Sequence, residues 1–227
     1  MPASSTPPAD TPALSILEHQ STLNQAAAAL HGQGWWVGDD AMDGDLVDDL
    51  LESLTGLRAA DALHRAGIGR EGDFRVERNV RGDRIHWLSR QDAAQARYLE
   101  QMEALRLMLN RQLFLGLFEF EAHFAHYPPG AFYRRHVDSF VGAANRVLST
   151  VSYLNSEWQP GDGGELLLYA GSSDEVVARV EPRAGTLAIF LSEEIPHEVR
   201  PARRDRYSIA GWYRVNASIQ GQIDPPR

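Results

Sequence analysis

The chain has no cysteine and no lysine. Without thiols it can hold no disulfide, no zinc–thiolate site, no iron–sulfur cluster and no cysteine nucleophile. That absence fits a reducing compartment, and a cytoplasmic location is the expectation. All 22 basic residues are therefore Arg, a uniformity read as codon bias. Long apolar runs are missing too: none approaches the ~20 residues needed to span a bilayer, so no membrane partner is expected. The N-terminus lacks the basic-then-apolar pattern of an exported chain. Positive charge is in deficit, 22 basic against 31 acidic residues for a formal charge of −9. This argues against a nucleic-acid partner, which would need a basic stripe to displace phosphate counterions. What is present is the making of a core: 227 residues, 43% hydrophobic, with five Trp, a composition of folded rather than disordered protein.

Organisation follows from texture along the chain. Residues 1–12 are Pro, Ser, Thr and Ala without apolar period, and read as a disordered tail. Apolar residues at helical spacing predict a helix over 13–30, stopped by His31-Gly32-Gln33-Gly34. Trp35 to Val37 reads as a short buried strand. A second helix is predicted over 43–66, with acids in its first turn and Leu46, Leu50, Leu51, Leu54 and Leu57 as its stripe. A third is predicted over 91–117, with stripe Tyr98, Met102, Leu105, Met108 and Leu109. Beyond 117, short β-rich runs alternate with Gly- and Pro-rich turns: 118–127, 131–137, 146–154, 164–170, 175–180, 186–191, 197–200 and 206–215. That spacing predicts a sandwich or barrel, and the fold class is α+β, mainly β, with helices buttressing one sheet. No repeat or linker divides the chain. Residues 13–220 are read as one domain, with helical support over 13–117 and a β core over 118–216. One polar, Gly-rich stretch, 67–83, is too long for a plain connection and reads as a lid or an excursion.

A metal or a general base must come largely from the eight His. His19, His31 and His64 fall on predicted helices or their ends and His86 on a strand, none with a ligand-like partner. His123 and His126 form H-x-x-H, but residues three apart on a strand face opposite ways and cannot grip one ion. His136 and Asp138 form H-x-D, and residues two apart share a face. His197, after Glu194-Ile195-Pro196, supplies a third ligand if the sandwich folds it back. Two His and one carboxylate with open positions is the arrangement of non-haem Fe(II) oxygenases, although zinc hydrolases also use two His and an acid. Arg206 favours the first reading. It opens a strand whose alternate residues Arg206, Ser208, Ala210 and Trp212 share a face, and an inward Arg offers a bidentate fork to a carboxylate. The competing role for Arg206 is pairing with a core acid such as Glu165, or pointing outward.

The segments Tyr127-Pro128, Tyr133-Arg134-Arg135-His136-Val137-Asp138, Tyr153-Leu154-Asn155, Gly163-Gly164-Glu165-Leu166, Pro196-His197-Glu198-Val199 and Arg206-Tyr207 through Trp212-Tyr213, with Arg81 to Trp87 upstream, resemble the 2-oxoglutarate- and Fe(II)-dependent prolyl hydroxylases of the hypoxia-inducible-factor type, and their bacterial relatives more closely. The resemblance implies a double-stranded β-helix, or jelly roll, supported by N-terminal helices. It implies Fe(II) held by His136, Asp138 and His197, with 2-oxoglutarate paired to Arg206 beside Tyr153 and Tyr127. Arg146, Trp212, Arg81 and Asp83 then face the substrate. The cofactors implied are Fe(II), 2-oxoglutarate and O2, with ascorbate as a supporting reductant, and the products are succinate and CO2. The implied partner is a protein bearing a target proline, elongation factor Tu being the family candidate for bacterial members. The alternatives are a free amino acid or small metabolite as substrate, a nucleic-acid demethylase, and a non-catalytic metal-binding jelly-roll sensor. The oxygen-sensing members carry Thr where this chain has Ala210. Arg81 and Asp83 are close enough to pair, and as an exposed ion pair would contribute ~0–1 kcal/mol.

Overall fold

The computed structural model of the chain describes residues 20–66, 80–138 and 145–216. The tail at 1–12 and most of the 67–83 stretch lie outside them. The elements run in the order α1 (Gln20–Gln33), β1 (Trp35–Gly38), α2 (Gly44–Ala59), β2 (His64–Arg65), β3 (Arg84–Trp87), α3 (Ala93–Leu113), β4 (Glu119–Tyr127), β5 (Tyr133–His136), β6 (Arg146–Tyr153), β7 (Leu166–Tyr169), β8 (Val176–Val180), β9 (Leu187–Leu191), β10 (His197–Val199) and β11 (Arg206–Arg214). Each predicted strand is present within a few residues of its expected bounds.

The helices end elsewhere than the pattern predicts. α1 runs on to Gln33, because Gly34, at φ +81°, is the residue able to take the left-handed turn. α2 starts as expected, with the Asp43 side chain accepting from the Asp45 amide. It stops at Ala59 rather than 66, where Asp61 turns left-handed and the Asp61 and Ala62 amides donate to the Arg58 and Leu57 carbonyls. His64 consequently lies on a strand. α3 stops at Leu113, not 117. Phe114 caps it at φ 55°, and the Asn110 side chain captures both the amide and the carbonyl of Leu117.

The strands form two antiparallel sheets. The seven-stranded sheet has the order β1-β9-β6-β11-β4-β3-β2 and the four-stranded sheet β5-β10-β7-β8. On β11 the period of two sends Tyr207, Ile209 and Tyr213 to one face of the large sheet. There they meet the α2 and α3 stripes, Leu46, Leu50, Leu54, Tyr98, Met102, Leu105 and Leu109. The other face meets the small sheet in a second core of Ala125, Tyr127, Tyr153, Leu166, Leu168, Ala188, Phe190 and Val199. Helices thus cover one face and leave the interior between the sheets for Arg206, Ser208 and Trp212. None of the helices among the described residues is long and apolar enough to cross a membrane.

Candidate metal centre

β5 and β10 are antiparallel neighbours, and their register sets His136 directly opposite His197. Pairing within one sheet, rather than a fold across two, brings the imidazoles together, with ring centroids 4.3 Å apart. Asp138 sits two residues past β5, its amide tied to the Ser192 carbonyl at 3.2 Å. One ligand atom from each of the three residues falls within 4.8 Å of the others. His136 Nε2 is 3.4 Å from Asp138 Oδ1, and His197 Nε2 is 3.6 Å from Asp138 Oδ2.

Each imidazole has its tautomer fixed from behind. His136 Nδ1 lies 2.7 Å from the Arg134 carbonyl and His197 Nδ1 lies 3.2 Å from the Ile195 carbonyl. A carbonyl only accepts, so each Nδ1 carries a hydrogen and each Nε2 is the atom turned toward the cluster. Burial, and then the neighbouring His136, push His197 down to about 4 against the pull of Asp138, leaving a neutral ligand at neutral pH. Burial opposes ionisation of Asp138. The two imidazoles and the Ser149 hydroxyl outweigh it and hold the carboxyl well below the usual carboxylate range. The result is two imidazole nitrogens and one carboxylate converging from one side, which fits a divalent transition metal with positions left open.

Behind this cluster lies Arg206, 1% exposed. Its Nε donates to the Gly164 carbonyl at 2.9 Å and its Nη1 to Ser208 Oγ at 3.2 Å. Among the described residues neither Nη2 nor the buried hydroxyl of Tyr153 completes a hydrogen bond of good geometry, although Arg206 is close enough to draw on the Tyr153 hydroxyl. The guanidinium carbon stands 5.0 Å from the ring centres of both Tyr127 and Tyr153, and burial pushes the Tyr153 hydroxyl up to about 12. Glu165 is not the partner of Arg206; it bonds Arg179 at 3.2 Å. A buried cation with an idle donor beside an idle hydroxyl is costly unless an anion enters. A carboxylate fits both donors, so this corner of the interior suits an anionic ligand. Gly164, at φ +71°, makes room: a Cβ there would stand 3.2 Å from Arg206 Cδ.

The expected substrate-facing residues divide. Trp212 Nε1 donates to Asp138 Oδ2 at 2.9 Å, so this indole touches a ligand of the cluster as well as facing the interior. The Arg146 guanidinium lies 3.7 Å over the same ring and pairs with Glu121. Trp87, half-exposed, and the buried His123 continue the aromatic surface outward from Trp212. His126 points the other way, to Asp205 and Tyr207, as the period of two requires. Arg81 and Asp83 do pair, through two bonds of 2.6 and 2.8 Å. The pair is not exposed, however, for the Asp83 side chain has no accessible surface. Between them Gly82 donates its amide to the Phe132 carbonyl, and a Cβ on it would stand 3.1 Å from the Ala131 side chain. Arg81 also lies 4.8 Å over the Tyr133 ring, which stacks on His136 with centroids 3.6 Å apart. Sequence reasoning passed over Tyr133, Ser149, Ser192 and Trp87 as site residues. A serine on or just after a strand carries no signal in an alternating pattern, and Trp87 reads as an ordinary strand aromatic.

A jelly roll that offers two His and one Asp to a metal, with a buried Arg behind them, defines the class of mononuclear metal enzymes with open coordination positions. Residues 122–214 match the 2OG-Fe(II) oxygenase superfamily. Prolyl hydroxylase EGLN3 of Mus musculus is 30% identical over 208 residues, which cover 84% of this chain and 82% of that protein. Egl nine homolog 1 of Homo sapiens is 31% identical over 74% of this chain. The chain spans about half the length of the Egl nine homolog 1 proteins it matches. A crystal structure of a Pseudomonas putida prolyl-4-hydroxylase is 44% identical with a TM-score of 0.78, covering 85% of this chain and 98% of that one. A Trichoplax adhaerens prolyl hydroxylase, solved with a hypoxia-inducible-factor peptide fragment, is 25% identical with a TM-score of 0.76, covering 86% and 89%. The chain belongs to the 2OG-Fe(II) oxygenase family and is homologous to the EGLN prolyl hydroxylases. That family uses Fe(II), 2-oxoglutarate and O2, and His136, Asp138 and His197 can hold the iron.

Proposed function

We propose that this protein is an Fe(II)- and 2-oxoglutarate-dependent dioxygenase that hydroxylates a prolyl residue in a protein substrate, converting 2-oxoglutarate to succinate and CO2. The observation that carries the reading is that the His136–Asp138–His197 cluster shares one inter-sheet interior with the buried Arg206 guanidinium and the Tyr153 hydroxyl: Phe190, against which His197 packs, belongs to the same core as Tyr127 and Tyr153, the rings beside Arg206. His136, Asp138 and His197 would hold the iron on one side. Arg206 and Tyr153 bind the distal carboxylate of 2-oxoglutarate, and Tyr127 forms the wall against which the guanidinium is held. Trp212, Arg146 and the Trp87–His123 surface line the approach on the substrate side. The buried sheet interior keeps bulk water away from the reacting atoms. When bound, the iron supplies oxygen activation and the cleavage of an unactivated C–H bond. A protein substrate is supported by the half-exposed Trp87, which extends the aromatic surface past the pocket mouth to where a chain could lie.

The test is a proteome-scale one. Cell extract incubated with enzyme, Fe(II), 2-oxoglutarate and O2 is expected to yield a proline-containing peptide heavier by one oxygen atom, with elongation factor Tu the first protein to inspect. If 2-oxoglutarate turnover is stimulated by free amino acids but by no protein fraction, the substrate is a small metabolite. If nothing stimulates it, the catalytic reading falls.

A further inference from the structure

The Asp138 carboxylate has two oxygens, and distance alone does not choose between them. Oδ1 stands 3.4 Å from one imidazole and Oδ2 3.6 Å from the other. Their other neighbours are not equivalent. Oδ2 accepts from Ser149 Oγ at 2.6 Å and from Trp212 Nε1 at 2.9 Å. A carboxylate oxygen has two in-plane acceptor positions, and on Oδ2 both are taken. Among the described residues Oδ1 receives no hydroxyl or indole bond; its one close polar neighbour is His136 Nε2, itself a member of the cluster, at 3.4 Å. Behind Ser149 stands a second hydroxyl, Ser192 Oγ, at 2.9 Å. A hydroxyl has one hydrogen to give, and an ionised carboxylate has none, so Ser149 donates to Asp138 and must accept from Ser192. The polarity of the chain is thereby fixed: Ser192 to Ser149 to Oδ2. Both serines are buried, at 0% and 1% exposure. The same Ser192 also accepts the Asp138 amide through its carbonyl, so one residue after β9 holds the ligand at both its backbone and its side chain.

We propose that the Ser192–Ser149 hydroxyl relay, together with the Trp212 indole N–H, is a positioning device that ties Asp138 Oδ2 to the protein and reserves Oδ1 for the metal. The inference rests on the reading of His136, Asp138 and His197 as a metal site. Its consequence is single-oxygen ligation. A carboxylate free to turn could grip the metal with both oxygens and close one of the positions that cosubstrate and O2 need. Partners of this kind orient the groups that ligate the metal, and removing one typically weakens metal binding by about 10–100-fold.

The experiment uses the full chain freed of metal by chelation and titrated with Co(II), following the visible d–d absorption. It needs no peptide and no turnover, so its failure is distinct from failure of the hydroxylase reading. Ser149→Ala is expected to lower Co(II) affinity by about 10–100-fold and to change the intensity of the absorption envelope, as a change in coordination number would. Ser149→Thr, which keeps the hydroxyl, should retain both properties. Ser192→Ala should fall between, since the direct donor survives, and Trp212→Phe should resemble Ser149→Ala. Wild-type affinity and spectrum in Ser149→Ala would overturn the proposal. So would an equal loss in Ser149→Ala and Ser149→Thr, which would make packing rather than the hydroxyl responsible. Should Ser149→Ala fail to fold, Ser192→Ala and Trp212→Phe carry the same test, and wild-type behaviour in both overturns it.

Discussion

At the scale of single residues the site depends on a few donors whose loss has separable effects. His136→Ala, Asp138→Ala or His197→Ala should each abolish succinate formation, because two remaining protein ligands cannot fix the ion with cosubstrate bound. Succinate release, measured with no added halide or carboxylate, checks this. Arg206→Lys keeps a charge but loses the fork. Its apparent affinity for 2-oxoglutarate should fall about 10–100-fold, the cost of a charged hydrogen bond, while Fe(II) affinity stays unchanged. A titration of each ligand separately distinguishes this from general damage. Asp83→Ala removes one half of a buried pair and leaves Arg81 without its counter-charge. A destabilisation of about 3–5 kcal/mol by urea unfolding is the expectation, well above what an exposed pair would give. The sequence showed that Arg81 and Asp83 can pair but not that the pair is buried, because its neighbours, the Ala131–Phe132 segment beside Gly82 and Tyr133 of β5 beside Arg81, come from about fifty residues away. The triad, in contrast, was legible: H-x-D needs only the period of two, and a far His completes it. Its hydroxyl partners were not, since a serine on a strand looks the same whether it meets a ligand or water.

Elements carry the site by their register and their turns. The strands after residue 117 could be read because Gly and Pro punctuate each of them, and turn chemistry is local. The ends of α2 and α3 could not, because they are decided by competing partners rather than by period. In α3 the side chain of Asn110 seizes Leu117, and in α2 Asp61 takes a left-handed conformation inside a stretch that still looks helical. One turn bears directly on function. Gly164, just before β7, both accepts from Arg206 Nε through its carbonyl and leaves space where a Cβ would crowd Arg206, Trp158 and Ala202. Gly164→Ala meets two obstacles, a left-handed φ and contacts of 3.0–3.2 Å. It should therefore weaken 2-oxoglutarate binding more than it weakens Co(II) binding, a contrast that calorimetry of the two ligands reads directly.

For the whole molecule, acid sensitivity follows from imidazoles kept neutral inside it. Burial, and then the nearby Arg81, push His123 from 6.5 down to about 4. Between those values the unfolded chain binds a proton that the folded chain refuses. The stabilisation is complete above about pH 6.5 and is lost as pH falls toward 4. It amounts to about 3 kcal/mol. His123→Gln should therefore unfold less steeply with acid than the parent across that window, compared by denaturant titration of both proteins in metal-free buffer, where His197 contributes equally to each. The direct opposition of His136 and His197 across β5 and β10 has a further consequence. These two strands are joined by some sixty residues of intervening chain, so the ion's donors are neighbours only once a long loop has been closed. An unfolded chain offers no such site, and whatever ion occupies it acts as a clamp on the native topology. By mass action, the melting temperature should climb with free metal concentration, by the equivalent of about 2.7 kcal/mol at a hundredfold excess over the dissociation constant. Stripping the ion should cost the small sheet its protection against hydrogen exchange before the helix-covered face loses its own.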